Sequence, residues 1–252
     1  MTEPRVVLGE IFLRFLDRTL PTIEENLALD EALLVEVEEG REIAHLRVWE
    51  MPLPAVVLGA SGQFHRDVIV EACRLDGVPI ARRSSGGGTV VVGPGALNFS
   101  IVLPRDGSPG LDDVAFAQQS VLERVAVALR VRGQAVAVLG SGDLTLDRKK
   151  VAGSAQRRLK RHFLVHATVL YDFPLALIDR YTRLPERQPT YREGRTHTEF
   201  VANLGVSRSE LVAALRDAWG VSDDAEPVGI PADSVRELVG TKFADRAWIE
   251  RL

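Results

Sequence analysis

The sequence predicts an α+β fold with mixed, mainly antiparallel sheets flanked by helices. Short apolar runs of strand length recur through the middle of the chain, for example at Val90–Val92 and Leu97–Leu103. Longer segments with apolar residues at helical spacing lie between and around these runs. The 252 residues show no internal repeat, low-complexity segment or linker. We therefore expect one domain over residues 1–252.

A helix with a defined start is the clearest element of the first third of the chain. Thr22 and Glu25 match a capping box, and apolar residues on one face continue toward Gly40, where the helix should end. The other elements expected here are strands at Val6–Phe15, Ala44–Trp49, Ala55–Gly59 and Val78–Ala81, and a helix at Val68–Leu75 with Cys73 on its apolar side.

The strongest helical pattern covers Leu111–Arg132, with Asp112 and Asp113 at its N-terminus and Gly133 after its end. A hairpin is expected from Leu144–Leu146 and Val151–Gln156, joined by a turn at Asp147–Lys149. The remaining predictions are strands at Ala135–Leu139 and Phe163–Tyr171, helices at Leu175–Tyr181, Ser209–Trp219, Ala232–Val239 and Ala244–Leu252, and a polar loop at Pro185–His197.

Composition excludes several classes of protein. The net charge of −4 does not indicate nucleic-acid binding, and no apolar run approaches the length of a membrane helix. The N-terminus lacks the layout of a signal peptide, and a single cysteine rules out an intrachain disulfide or a multi-cysteine zinc site. We therefore expect a cytoplasmic protein that binds neither nucleic acid nor membrane.

Common catalytic motifs are also missing. The chain contains no GxxxxGK[ST] phosphate loop, no HExxH pair and no GxSxG elbow. His162 and His166 are four apart in a predicted strand, which places them ~13 Å apart, too far to share a metal ion. Cys73, on an apolar helix face, is expected to be inert packing.

The segment Ala81–Ser100, ARRSSGGGTVVVGPGALNFS, carries the first candidate site. Glycine lets a ligand approach the main chain closely, and successive backbone N–H groups in such a turn can bind an anion. Two arginines add planar, permanently charged donors suited to phosphate or carboxylate. The alternative is a glycine-rich hairpin with solvated arginines.

The second candidate site is the segment Asp147–Arg158, DRKKVAGSAQRR, with Asp143 just before it. Lys150 opens a predicted strand in which Gly153 and Ser154 leave room for a ligand. Its compact ammonium could neutralise both a carboxylate and an α-phosphate as they approach each other. The alternatives are a solvated lysine beside a turn and, for the wider basic cluster that includes Arg161, a solvated hairpin.

Together these motifs resemble those of the lipoate–protein ligase family, within the superfamily of biotin and lipoate ligases and octanoyltransferases. The resemblance rests on ARRSSGGGTV…LNFS (81–100), RKKVAGSAQRR…HATVL (148–170), ALDEALL (28–34), EFVANL (199–204) and TKFADRAWIERL (241–252). It implies a biotin/lipoate ligase-like catalytic domain. The glycine-rich arginine loop of the biotin ligases is absent.

The resemblance also implies roles for individual residues. Lys150 matches the family lysine that contacts the lipoyl carbonyl and the nucleotide phosphate. Asp143 matches an acidic residue that lies near the nucleotide and Mg²⁺. Arg83 and Ser85 with Gly86, Gly87 and Gly88 match the loop that holds the lipoyl chain and phosphate. The other positions that match the family are Asn98, Gly153, Ser154, Arg157 and His166.

The implied activity is ATP-dependent attachment of lipoate to a carrier lysine through lipoyl-AMP, with ATP, Mg²⁺ and lipoate as ligands. The expected partner is a lipoyl carrier protein, such as a glycine-cleavage H-like protein or a 2-oxoacid dehydrogenase E2 lipoyl domain. No accessory domain follows Leu252, so a separate accessory subunit is a further expected partner.

One departure keeps an alternative open. Val92-Gly93-Pro94-Gly95 stands where ligases commonly carry a His-Asp pair, and it is similar to the octanoyltransferases, which take the acyl chain from acyl carrier protein without ATP. No cysteine follows Cys73, which argues against a thioester mechanism. A non-catalytic acyl- or carrier-binding module is a third reading, disfavoured because the lysine and the glycine loop are intact.

Overall fold

The structure, a computed structural model, describes residues 13–105, 110–221 and 229–252. Seven strands form one sheet in the order β1-β2-β6-β10-β9-β8-β7, and three form a second sheet in the order β4-β3-β5. The strands are β1 (Arg14–Asp17), β2 (His45–Trp49), β3 (Ala55–Leu58), β4 (Ile80–Arg82), β5 (Val90–Val92), β6 (Ala96–Pro104), β7 (Val136–Leu139), β8 (Asp143–Leu146), β9 (Lys149–Arg158) and β10 (His162–Leu170).

The helices pack around these sheets. They are α1 (Ile23–Glu38), α2 (Phe64–Asp67), α3 (Val70–Asp76), α4 (Val114–Val131), α5 (Ala176–Tyr181), α6 (His197–Phe200), α7 (Arg208–Trp219), α8 (Ala232–Leu238) and α9 (Arg246–Ile249), with a 3₁₀ turn at Thr190–Arg192 and a π turn at Val239–Phe243. None of the helices in the described ranges is both long and apolar enough to cross a bilayer.

The predicted fold class is confirmed. Only the pairs β1–β2 and β3–β4 are parallel, and all other neighbouring strands run antiparallel. β6, β9 and β10 form the long centre of the larger sheet, and one face of it packs against α4 and α7 in the largest apolar core. A second core joins α1 to the smaller sheet and α8.

Local sequence signals explain several boundaries. Thr22 Oγ1 accepts from the Glu25 amide while Glu25 Oε2 accepts from the Thr22 amide, so the predicted capping box begins α1. Asp113 caps α4, which ends just before Gly133 as predicted. Asp147 and Arg148 both have positive φ, so the β8–β9 turn has two residues and β9 begins at Lys149 rather than Val151.

The predictions for both ends of the chain also differ from the structure. The first strand was expected over Val6–Phe15, but residues 6–12 lie outside the described part of the chain and β1 is Arg14–Asp17. The last helix was expected over Ala244–Leu252, but only Arg246–Ile249 is helical. Backbone groups near this end bond to other parts of the fold instead, including the Leu252 carbonyl, which accepts from the Phe64 amide at 2.8 Å.

Candidate functional site

A cleft of about 110 Å³ lies where the two sheets face each other. The larger sheet contributes side chains from β6, β9 and β10, and the smaller sheet contributes β3, β5 and the glycine loop, residues 83–89. The lining includes residues from both predicted motifs, namely Arg83, Gly88, Asn98, Lys150, Gly153, Ser154 and His166. The fold therefore brings the two motifs to one cavity, although the first ends at Ser100 and the second begins at Asp147.

Arg83 is buried at the base of the glycine loop. Its Nε donates to Ser85 Oγ at 3.0 Å, and its Nη2 donates to the carbonyls of Gly86 and Gly88 at 2.5 and 2.8 Å. These acceptors are all neutral, and burial lowers the pKa of Arg83 to about 10. A cation buried without a carboxylate favours an anionic ligand nearby, because such a ligand would offset the desolvation of the charge.

The alternative of solvated arginines is therefore wrong. The Arg82 side chain is also completely buried, and it points away from the cleft toward the C-terminus of the chain. Glycine is required where the loop is tightest. Gly87 has a φ of +87°, a conformation that favours glycine. A Cβ on Gly59 would lie 2.0 Å from the Gly87 carbonyl oxygen, so residue 59 must also be glycine for its turn to lie this close to the loop.

Lys150 lies across the cleft on β9. Its Nζ is 2.6 Å from Asp143 Oδ1, and the Tyr191 hydroxyl donates to Asp143 Oδ2 at 2.7 Å. Burial raises the pKa of Tyr191, and the adjacent Asp143 carboxylate adds to the effect, so the phenol stays protonated and keeps donating. The lysine side chain is 31% exposed, which leaves its ammonium accessible from the cleft.

Gly153 makes this lysine geometry possible. It lies opposite Asp143 in the β8–β9 ladder, and a Cβ there would be 2.6 Å from both Cε and Nζ of Lys150. The lysine side chain thus occupies the space that a larger residue would fill. The Lys150 carbonyl also accepts from the Ala202 amide at 3.0 Å, so the segment EFVANL holds this strand from the outside.

Other predicted residues shape the walls of the cleft. Ser154 Oγ donates to the Gly142 carbonyl and accepts from Gln118 Nε2, each at 2.7 Å, which fixes β9 against β8 and α4. Asn98 Oδ1 accepts from Thr168 Oγ1 at 2.7 Å. Asn98 and Ser154 also line the cleft, and in this structure their polar atoms are used within the protein.

His166 connects the glycine loop to a buried carboxylate. Ser85 Oγ lies 2.5 Å from His166 Nε2, and His166 Nδ1 is 3.9 Å from Asp30 Oδ2. Burial lowers the pKa of His166, and the positive charge of Arg83 acts in the same direction. The imidazole is therefore neutral, and we assign its Nε2 as the acceptor from the Ser85 hydroxyl.

Asp30 is held by Arg47 Nη1 at 2.6 Å and by Ser100 Oγ at 2.8 Å. Burial would raise the pKa of this carboxyl, but the charge of Arg47, the nearby His166 and the bond from Ser100 together outweigh it, so the pKa is lowered. Asp30 therefore remains ionised at the floor of the cleft.

Three buried polar atoms that line the cleft have no hydrogen-bond partner within the described residues. They are Asp30 Oδ2, the indole Nε1 of Trp49 and Thr89 Oγ1. Buried polar groups are almost always paired in folded proteins, so water or a ligand in the cleft would supply the missing partners of these three groups.

Not every predicted residue faces this cleft. Ser85 and Arg157 instead line a small adjoining recess with Arg83 and His166, and Gly86 has open space around it. The residues that sequence reasoning missed are Asp30, Trp49, Thr89, Gln118 and Tyr191. Of these, only Asp30 could have been identified from the sequence, since it is a carboxylate on the face of α1 that also carries the apolar residues Leu27 and Leu34.

Comparisons with known proteins agree with the fold and identify a family. The family model described as the lipoyl protein ligase A/B catalytic domain matches residues 22–215. A putative lipoate-protein ligase A from Aeropyrum pernix is 36% identical over 239 residues, which cover 88% of this chain and 86% of the relative. A probable lipoate-protein ligase A from Mycoplasma pneumoniae is 31% identical, and the match covers 84% of this chain but 62% of that protein.

An octanoyltransferase LipM from Symbiobacterium thermophilum is 27% identical, covering 81% of this chain and 80% of the relative. Among solved structures, the bi-partite lipoate protein ligase of Thermoplasma acidophilum superposes with a TM-score of 0.80 at 23% identity, over 95% of this chain and 96% of that one. A lipoate-protein ligase A bound with ATP gives a TM-score of 0.80 at 24% identity, over 95% and 99% of the two chains.

The structural matches show a shared fold, and the family model and the Aeropyrum relative show similarity in sequence as well. Both motifs that meet in the cleft fall within the matched residues. The chain is therefore an enzyme of the lipoate–protein ligase family, and it carries the catalytic domain that defines lipoyl protein ligases A and B.

Proposed function

We propose that this enzyme attaches lipoate to a lysine of a lipoyl carrier domain, using ATP and passing through lipoyl-AMP. The observation that carries the proposal is the convergence of two cations on one cleft. Arg83 is buried without a carboxylate on one side, and Lys150 is poised beside Asp143 on the other. A cavity between two such cations suits a substrate carboxylate next to a phosphate.

In the first step, a carboxylate oxygen of lipoate would attack the α-phosphorus of ATP. A new P–O bond forms as the bond to pyrophosphate breaks, which leaves the mixed anhydride lipoyl-AMP. Lys150 would neutralise the negative charge that accumulates where the two anions meet, and the buried Arg83 would act from the opposite side. Holding both reactants in one cleft lowers the entropic cost of their encounter.

In the second step, the amine of a carrier lysine would attack the lipoyl carbonyl carbon. The C–N bond forms, the C–O bond to AMP breaks and the nitrogen loses a proton to water, giving an amide and free AMP. No enzyme side chain forms a covalent bond in either step. Lys150 would remain near the carbonyl oxygen and stabilise its charge in the tetrahedral transition state.

The donor set is also compatible with Mg²⁺ carried in by the nucleotide. Within the described residues, no group of three His, Cys, Asp or Glu side chains is arranged to hold a metal ion. Mg²⁺ commonly takes only one or two protein carboxylates together with substrate phosphates and water. Asp143 would supply the carboxylate, and the ion would add positive charge at the phosphates.

The main alternative is transfer of an octanoyl group from acyl carrier protein without ATP. One relative is named octanoyltransferase LipM, which supports octanoyl transfer as the alternative. Two observations weigh against a thioester route here. Cys73 is the only cysteine, and it lies buried on α3 outside the cleft lining. Burial raises the pKa of its thiol to about 11, so the nucleophilic thiolate is scarce.

The Gly93-Pro94-Gly95 segment, which suggested this alternative, has a structural explanation. A Cβ on Gly95 would lie 2.1 Å from the Asp172 carbonyl oxygen, and the Gly95 amide donates to Glu50 Oε1 at 2.9 Å. Gly95 thus packs the start of β6 against the end of β10. None of the three residues lines the cleft, so the segment favours neither acyl donor.

The proposed partner is a lipoyl carrier domain. The Thermoplasma structure, described as a bi-partite ligase with its E2 lipoyl domain, shows such a partner and a two-part ligase for that protein. For this chain we propose that a separate accessory subunit assists adenylation. On that view, the isolated chain is weak with lipoate and ATP but transfers efficiently from supplied lipoyl-AMP. Full ATP-driven activity of the isolated chain would refute the need for a subunit.

A mass measurement tests the proposal. The purified chain is incubated with an apo carrier domain and either lipoate with ATP, lipoyl-AMP or octanoyl-carrier protein, and the carrier is weighed by mass spectrometry. We expect lipoylation from lipoyl-AMP and, with any required subunit, from lipoate and ATP. Octanoylation from octanoyl-carrier protein alone would favour the alternative.

Lys150→Ala should abolish lipoate-dependent pyrophosphate release while the protein stays folded. Lys149→Ala is the matched control, since it removes the same side chain from the adjacent, exposed position on β9. Equal activity of the two variants would remove Lys150 from the mechanism.

A further inference from the structure

We infer that the last seven residues, 246–252, position the glycine loop through Arg82, and we call this segment the C-terminal clasp. Arg82 would then be a positioning residue, although it neighbours the ligand-facing Arg83. The consequence for catalysis rests on the proposed function, but the mechanical coupling does not.

Arg82 is the hub of these contacts. Its side chain has no exposed surface and does not line the cleft. Its Nη1 donates to the carbonyls of Gly59 and Gly62 at 2.9 and 2.6 Å. Its Nε and Nη2 donate to the Ile249 carbonyl at 2.9 and 2.7 Å. One guanidinium therefore joins the turn at residues 59–62 to the clasp.

The turn at residues 59–62 supports the glycine loop directly. The Ala60 amide donates to the Ser85 carbonyl at 2.8 Å. Gly59 packs so closely on the Gly87 carbonyl that a Cβ would lie 2.0 Å from its oxygen. A displacement of this turn must therefore displace residues 85–87, which lie next to Arg83.

The clasp also bonds to Arg82 in the reverse direction. Trp248 Nε1 donates to the Arg82 carbonyl at 2.9 Å, so the clasp holds both the backbone and the side chain of this arginine. The Trp248 ring lies between two cations, with Lys242 Nζ 4.7 Å and Arg251 Cζ 3.9 Å from its centroid. Lys242 in turn bonds both carboxylate oxygens of Glu31 on α1.

These contacts explain why two arginines stand side by side in the motif. Arg83 faces the cleft and bonds the carbonyls of the loop itself. Arg82 points the other way and bonds carbonyls of two segments that flank the loop. Neutral acceptors surround both side chains, so each contributes several directed bonds rather than one ion pair.

Trp248→Phe tests the clasp with little change in packing. Phenylalanine keeps an aromatic ring between the two cations but loses the bond to the Arg82 carbonyl. Trp219→Phe is the matched control, because the Trp219 Nε1 has no hydrogen-bond partner within the described residues and lies on α7 in the other core. Both variants should unfold within a few degrees of the wild type.

The first readout is hydrogen exchange of the Ala60 amide, which reports the contact with Ser85. We expect Trp248→Phe to speed this exchange about tenfold, as for the loss of one hydrogen bond, and Trp219→Phe to leave it unchanged. The second readout is steady-state kinetics. We expect Trp248→Phe to raise KM for lipoate and ATP about fivefold while kcat changes less than twofold.

Arg82→Lys provides a second perturbation, because lysine cannot reach both the turn and the clasp. The inference is overturned if neither variant speeds Ala60 exchange, or if both merely lower the unfolding temperature while KM is unchanged. The exchange measurement needs no substrate. If the chain, together with any required subunit, lipoylates no carrier domain from lipoate and ATP or from lipoyl-AMP, the proposed function fails, and the exchange result still decides the coupling.

Discussion

Gly153→Ala offers a direct test of the lysine geometry, because it adds one methyl group at the position where Lys150 folds back toward Asp143. The added Cβ would lie 2.6 Å from Lys150 Nζ and 3.6 Å from Asp143 Oδ1. The first distance is too short and the second is ordinary, so the carboxylate stays in place and the ammonium must move. Gly153 has no positive φ, so alanine fits the backbone of the strand.

The size of the displacement follows from contact distances. Nonbonded heavy atoms rest about 3.5 Å apart, so the ammonium must shift by ~1 Å from its present place. A misplacement of this size in a catalytic group can cost about 100-fold in rate, equivalent to about 2.7 kcal/mol. The clash falls on the flexible end of a half-exposed side chain, so the free energy of unfolding should change by less than ~1 kcal/mol.

The assay is lipoate-dependent pyrophosphate release, measured with thermal unfolding of the same samples. Gly240→Ala is the matched control, because a Cβ there meets no atom within 4 Å and the residue lies outside the cleft. We expect a ~100-fold lower kcat/KM for Gly153→Ala and no change for the control. Wild-type kcat/KM in a folded Gly153→Ala variant would refute the role assigned to the lysine position.

Three further predictions concern the groups around the cleft. Tyr191→Phe removes the hydroxyl that donates to Asp143 Oδ2. We expect a ~10-fold lower kcat, equivalent to about 1.4 kcal/mol, with an unchanged unfolding temperature. An unaltered kcat would show that the hydroxyl does not position Asp143. Arg83→Lys leaves buried carbonyls of the glycine loop without donors. We expect a loss of roughly 1–3 kcal/mol in the free energy of unfolding, measured by denaturant titration. An unchanged midpoint of the denaturant transition would contradict this. The pKa of His166 is lowered from 6.5 by burial and by Arg83, so the neutral imidazole contributes its full stabilisation of the folded state above pH 6.5. Below pH 6.5 the free energy of unfolding should fall, by up to about 1.4 kcal/mol per pH unit. Asp30, whose pKa is lowered from 3.8, changes its charge only in more acidic solution. If the free energy of unfolding depends less on pH between pH 7 and 5 in His166→Asn than in the wild type, the assignment is confirmed. Identical pH profiles of the two proteins would contradict it.

Local signals in the sequence predicted most elements of the fold. The Thr22–Glu25 capping box begins α1 at the expected place, because side-chain bonds to the first free amides act within one turn. Asp113 caps α4 in the same way, although the helix begins at Val114 rather than at the expected Leu111. The C-terminal helix was wrongly predicted because its boundaries depend on contacts with residues that are remote in sequence. The backbone carbonyls of Ile249 and Leu252 bond to Arg82 and to the Phe64 amide, which are remote in sequence.

For the site, the sequence alone determined which residue types were available: a lysine beside a glycine in one strand, and two arginines before three glycines in a loop. It also predicted the family, because those motifs are long and specific. The orientation of the two arginines was decided only by the tertiary structure. Both are buried, and they face opposite directions because the acceptors for Arg82 come from residues 59–62 and 249.

The glycine loop and the lysine strand could be predicted separately, but it could not be predicted that they face one cleft with Asp30 and Trp49, or that Tyr191 bonds to Asp143 beside Lys150. Each of those three residues lies on a different element, and no local spacing relates α1, β2 and the 3₁₀ turn at Thr190–Arg192 to β9. Their positions follow from how the two sheets and α1 pack, since burial of apolar surface is non-directional and leaves no short-range pattern in the chain. The sequence thus determined the chemical groups of the site, and the packing of the fold decided their distances, their burial and their charge states.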